Sequence, residues 1–134
     1  MLTQFLIIGV GGGVGSMFRF GIASLIDAYI KKGGPPNFLG TMAVNITGCF
    51  LIGFIATVSD TEGRFYLTPL QRQFIMIGIL GGYTTFSSFS LQTLQLAQDG
   101  QWGQATANLL GSVVLCLVGV WLGALLAGAV NQLR

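Results

Sequence analysis

An all-α membrane protein of four transmembrane helices, the third broken near mid-membrane, is the fold class that three features of this sequence predict. Only 7% of its residues are charged and 52% are hydrophobic, whereas about a quarter of a soluble domain is charged. The apolar residues fall into four runs, each long enough to cross the roughly 30 Å hydrocarbon core of a bilayer. Inside the third run lies Gly81-Gly82-Tyr83-Thr84-Thr85-Phe86-Ser87-Ser88-Phe89-Ser90, a poor composition for a helix facing lipid. Unsatisfied backbone groups are costly in hydrocarbon, so a weakened helix belongs against protein or along a polar cavity.

The 134 residues form one four-span unit, residues 1–134, with no room for an extramembrane domain. Function is therefore expected among the helices. The net charge of +2 comes from six scattered basic and four scattered acidic residues, without the basic stripe of a nucleic-acid binder, and no nucleic-acid partner is expected. Histidine is absent and no Ser, Asp and Lys grouping replaces it as a general base, so neither a catalytic residue nor enzyme activity is expected. Cys49 and Cys116 lack the spacing and the His or carboxylate companions of a metal site, and read as small packing residues.

Span 1 covers about Leu2 to Ile30. Its start lacks the positive n-region of a cleaved signal peptide and is expected to be a retained span. Gly9, Gly11, Gly12, Gly13 and Gly15 cost helix propensity, which is understandable where another backbone approaches closely. Arg19 lies deep in this span, where a guanidinium either faces a bundle interior, an aqueous vestibule or a counter-charge, or snorkels to an interface. Asp27 is placed in the interface. The stretch Lys31 to Asn37 combines charge with Gly and Pro and is a turn. Span 2 follows from about Phe38 to Ser59, with Thr41, Asn45 and Cys49 at i, i+4 spacing on one face. Asn45 either hydrogen-bonds to a neighbouring helix or lines a polar path.

A polar connection from Asp60 through Pro69 ends at Arg72, just before span 3, whose apolar run is Phe74 to Ala97. Gly81-Gly82 with Thr84-Thr85 is expected to loosen this helix near its middle and free carbonyls able to hold a cation. Phe86 and Phe89, three residues apart, project from one face of the continuing helix, with Gln92 or Thr93 extending the row. Gln98 to Gln101 is a turn. Span 4, from about Trp102 to Val130, carries Asn108, Ser112 and Cys116 every four residues beside Gly111, Gly119 and Gly123, so this small, polar face is expected to look inward.

Arg64, Arg72 and Arg134 fall on one side of such a four-span chain, and Lys31 and Lys32 on the other. Three against two barely sets an orientation. Insertion in both directions, and an antiparallel dual-topology homodimer about a two-fold axis in the membrane plane, follow as expectations. The aromatic quadrupole adds a chemical one: a ring edge is positive and attracts a small anion. With hydroxyl and amide donors from Thr41, Asn45 and Ser112, such edges replace part of an anion's hydration without a fixed charge that would hold it too tightly. The alternative is that the two phenylalanines merely pack.

Over all four spans the chain resembles the Fluc or CrcB-type fluoride channels. The residues that carry the likeness are Gly15-Ser16-Met17-Phe18-Arg19, Gly40-Thr41 with Asn45, and above all Gly81 to Ser90. The resemblance implies an antiparallel homodimer in a cell membrane, the bacterial inner membrane, with two pores that let cytoplasmic fluoride out passively. It implies Phe86 and Phe89 as ring-edge fluoride ligands, Asn45 as an amide donor, and Thr41, Ser87 and Ser112 along the polar track. It further implies a structural sodium ion on the dimer axis, held by the carbonyls of Gly81 and Thr84, and a vestibule containing Arg19. Gln92 stands where the family commonly has a glutamate, and Asn108 and Cys116 where some relatives have Tyr and Ser. A small dual-topology drug transporter would need a membrane-embedded Glu in span 1, which is lacking. A non-conducting membrane assembly subunit is the other alternative.

Overall fold

The computed structural model describes residues 1–30, 38–60 and 63–133, which are helical apart from short connections. The expected turn from Lys31 to Asn37, and the charges of Lys31, Lys32, Glu62 and Arg134, lie outside the described residues. Helix α1 spans Leu2–Ile30 and α2 Leu39–Val58. The third span is composite: α3 (Pro69–Arg72), a π-helical segment (Gln73–Leu80), α4 (Gly81–Tyr83) and, after a break, α5 (Phe86–Gln98). Helix α6 spans Trp102–Gln132. Among the described residues, four helical stretches are long and apolar enough to cross a membrane, and large side chains such as Phe5, Phe20, Leu117 and Trp121 are exposed, on faces suited to lipid.

The third span begins earlier than the charge of Arg72 suggests. Thr68 accepts a hydrogen bond from Gln71 N–H at 3.3 Å, and the Gln71 side chain accepts one from Thr68 N–H at 2.9 Å. This reciprocal cap, with Pro69 at the first helical position, satisfies donors that a helix start otherwise leaves open. Arg72 then turns back and donates to the Ser59 carbonyl at 2.8 Å, at the C-terminal end of α2 where a cation is favoured. Asp27 does more than sit in an interface: its carboxylate accepts from Gly40 N–H at 3.2 Å, at the opposite, positive end of α2.

Two glycine contacts build the bundle. Along α1 a Cβ on Gly11 would lie 3.0 Å from Gly78 Cα, and one on Gly15 would run into the Ile79 carbonyl and lie 2.8 Å from Tyr83 N. Gly9 and Gly13 face open space, so close packing explains only part of the glycine cluster. Between α2 and α6, a Cβ on Gly119 would lie 3.1 Å from the Ile46 carbonyl, while one on Gly123 would meet that of Phe50. Pairings that advance together along both chains mean that α2 and α6 run parallel, as spans of alternating direction require. Such backbone contact is how membrane helices gain packing energy without a hydrophobic drive between them.

Candidate functional site

The glycines at the centre of the third span remain helical, and the chain breaks after them. Thr84 (φ −84°, ψ 157°) and Thr85 (φ −151°, ψ 112°) are extended. Asn45, buried on α2, clamps this break from both sides: its Nδ2 donates to the Thr85 carbonyl at 3.0 Å, and its Oδ1 accepts from Thr85 N–H at 2.7 Å. Thr85 in turn caps α5, accepting from Ser88 N–H at 3.2 Å.

These substitutions release two particular carbonyls. In a continuous α-helix Thr85 N–H would donate to Gly81 and Ser88 N–H to Thr84. Both donors are diverted, so the Gly81 and Thr84 oxygens lose their helical partners. Gly82 is treated differently, because Ser16 on α1 donates to its carbonyl at 3.4 Å. On the other side of the break the first turn of α5 presents backbone N–H groups and the positive end of its dipole. A carbonyl end and an amide end thus lie next to one another.

A cavity of about 400 Å³ opens at this point, lined among others by Asn45, Gly81, Thr84, Phe86, Phe89 and Ser112. Among the described residues, none of its lining side chains is charged. The Phe86 and Phe89 rings lie with centroids 5.2 Å apart and planes tilted by 53°, so an edge of one approaches the other. The i, i+3 spacing makes them neighbours without making them equivalent. Phe89 is 5% exposed and Phe86 76% exposed, so Phe86 and the exposed Gly81 mark the open side of the cavity.

The remaining candidates lie around this centre. Ser112 donates to Asn108 Oδ1 at 3.1 Å, Asn108 Nδ2 donates to Thr93 at 2.9 Å, and Thr93 donates to the Phe89 carbonyl at 2.8 Å. This relay ties α6 to the helix that carries the rings. Thr41 does not line the cavity; it accepts from Gln92 Nε2 at 3.0 Å, leaving Gln92 Oε1 buried without a partner among the described residues. Ser87 is exposed and within 3.3 Å of the Thr85 hydroxyl. Arg19 lies on α1, is half-buried and does not line the cavity. Sequence reasoning named Thr85 only as part of the loosened stretch; its pairing with Asn45 and its capping of α5 come from the tertiary contact. The Thr93–Asn108 link had only the periodicity of Asn108 to announce it.

Comparison with known proteins places the chain in a family. Residues 6–124 match the family described as CrcB-like protein, Camphor Resistance (CrcB). The chain is 47% identical over 133 residues to a protein of Opitutus terrae named fluoride-specific ion channel FluC, covering 99% of this chain and 98% of that one. A protein of the same name from Rhodospirillum rubrum is 47% identical over 128 residues, 96% of this chain and 97% of its own. One from Paramagnetospirillum magneticum is 43% identical over 132 residues, 98% of this chain and all of its own.

Proposed function

This chain belongs to the CrcB-like family, and we propose that it is a passive, fluoride-selective channel through which cytoplasmic fluoride leaves the cell. The observation that carries the reading is the uncharged cavity bounded by the Phe86–Phe89 ring pair and the amide end of α5. Fluoride is small and strongly hydrated, so its site must supply several donors at once. Ring edges and first-turn N–H groups do so with partial charges. Asn45 keeps a second amide hydrogen beyond the one given to Thr85, and the Ser112 hydroxyl turns between Asn108 and an arriving ion. With no fixed cation in the lining, the ion is also able to leave. Thr41 and Ser87 extend this polar track, Gln92 adjoins it through Thr41, and Arg19 belongs to an aqueous vestibule.

The open side of the cavity supports an antiparallel homodimer. A second copy inserted the other way would cover Phe86 and Gly81, and an isologous contact would give two equivalent pores. The diverted hydrogen bonds fit a structural sodium ion at that interface: the Gly81 and Thr84 carbonyls are hard oxygen donors without helical partners, and two copies would supply four of them. The bacterial inner membrane is the membrane that suits such an exit path.

Purified protein in liposomes, with efflux followed by a fluoride-selective electrode and chloride as control, tests the reading. Fluoride should leave and chloride should not; equal chloride efflux, or no fluoride efflux, overturns it. Phe86→Ile and Phe89→Ile keep volume and remove the ring edge, and each should slow fluoride by at least about tenfold, roughly 1.4 kcal/mol on a barrier. Normal conduction by both variants would remove the aromatic mechanism.

A further inference from the structure

Cys49 on α2 and Cys116 on α6 are free, half-buried thiols that line the same cavity. They reach the same cavity because α2 and α6 pack through glycine: a Cβ on Gly119, one turn beyond Cys116, would lie 3.8 Å from Cys49 Cβ. Each also sits one turn from a cavity-lining polar residue, Cys49 from Asn45 and Cys116 from Ser112. No group of three or more His, Cys, Asp or Glu exists among the described residues.

We propose that Cys49 and Cys116 form a two-thiol site for a soft cation inside the cavity, and that filling it stops ion flux. Tetrahedral zinc would want four ligands and finds two. Soft d¹⁰ cations such as mercuric, silver or cuprous ions favour sulfur ligands and accept two. On binding, two S–H bonds break, two sulfur–metal bonds form and two protons pass to water, with no change of oxidation state. A metal bridging α2 and α6 at this height narrows the cavity beside Asn45 and Ser112. Only the flux consequence rests on the channel reading.

Mercuric ion is the probe. Detergent-solubilised protein loaded with one equivalent per chain should keep it through washing with excess 2-mercaptoethanol, because two linked ligands gain about 10²–10⁴-fold over one. Cys49→Ser and Cys116→Ser should each weaken retention by about 100-fold. Shedding by the wild type, or equal retention by either single variant, overturns the site, and this measurement needs no conduction. In liposomes the loaded wild type should lose its fluoride efflux and regain it with dithiothreitol, while the double serine variant should keep its own basal rate in mercuric ion. Undiminished efflux from the loaded wild type, or inhibition of the double variant, overturns the block.

Discussion

Gly82, at the end of the first half of the third span, meets Gly12 of α1 through bare backbone, whereas Thr85, at the start of the second half, is held by two hydrogen bonds from the Asn45 side chain. The contrast extends along both halves. Residues 73–83 lie against α1, with Gly78 and Gly82 facing its glycines; α5 is tied to α2 and α6 by Gln92–Thr41 and Thr93–Asn108. Against α1 the first half is positioned by what its residues lack, with Arg72 and Tyr83 at its ends bonding to Ser59 and Thr47, and the second half by what its side chains donate and accept. Steric contact gives rigid placement, and hydrogen bonding leaves a polar seam along which an ion can be solvated. That division lets one span anchor the bundle and line a cavity.

The largest effect should come from the steric side. Gly15→Ala puts a methyl into the Ile79 carbonyl and should destabilise the protein by about 3 kcal/mol, read as loss of thermal stability in detergent. Gly13→Ala, which meets nothing within 4 Å, should be neutral or stabilising by up to about 1 kcal/mol. Equal behaviour of the two variants would break the contrast. Next comes Asn45→Leu, which leaves the Thr85 N–H and carbonyl unpaired. Hydrogen bonds within membranes are worth about 0.6 to 1.7 kcal/mol each, so about 2 kcal/mol should be lost. Fluoride efflux should fall as well, since nothing then holds Thr85 in the extended break beside α2; unchanged efflux would mean that the break does not depend on Asn45. The smallest effect is expected from Asn108→Leu, about 1 kcal/mol of stability, because Thr93 keeps its bond to the Phe89 carbonyl. A loss as large as that of Asn45→Leu would show the relay to be as important as the clamp.

Much of this was legible along the chain. The apolar run of α1 ends where the helix ends, and α2 lies within one residue of its expected bounds at each end. The start of the third span was readable too, since Thr68-Pro69-Leu70-Gln71 is a capping sequence that lies ahead of the charge of Arg72. The loosening was expected over Gly81-Gly82 with Thr84-Thr85, and the chain leaves the helix only at the two threonines. Glycine lowers the cost of leaving a helix, yet departure happens where competing partners wait for the freed groups, and Asn45 waits only for Thr85.

The sequence by itself determined that four apolar spans would form, that the third would be weakened near Gly81 to Ser90, and that Phe86 and Phe89 would be neighbours. These follow from composition and from helical spacing, which act over a few residues. Only the tertiary structure decided which carbonyls lose their partners, that Phe89 is buried while Phe86 is open, and that Cys49 and Cys116 line one cavity. Each depends on how closely two helices approach and at what height, and that is fixed by backbone contacts between residues far apart in the chain.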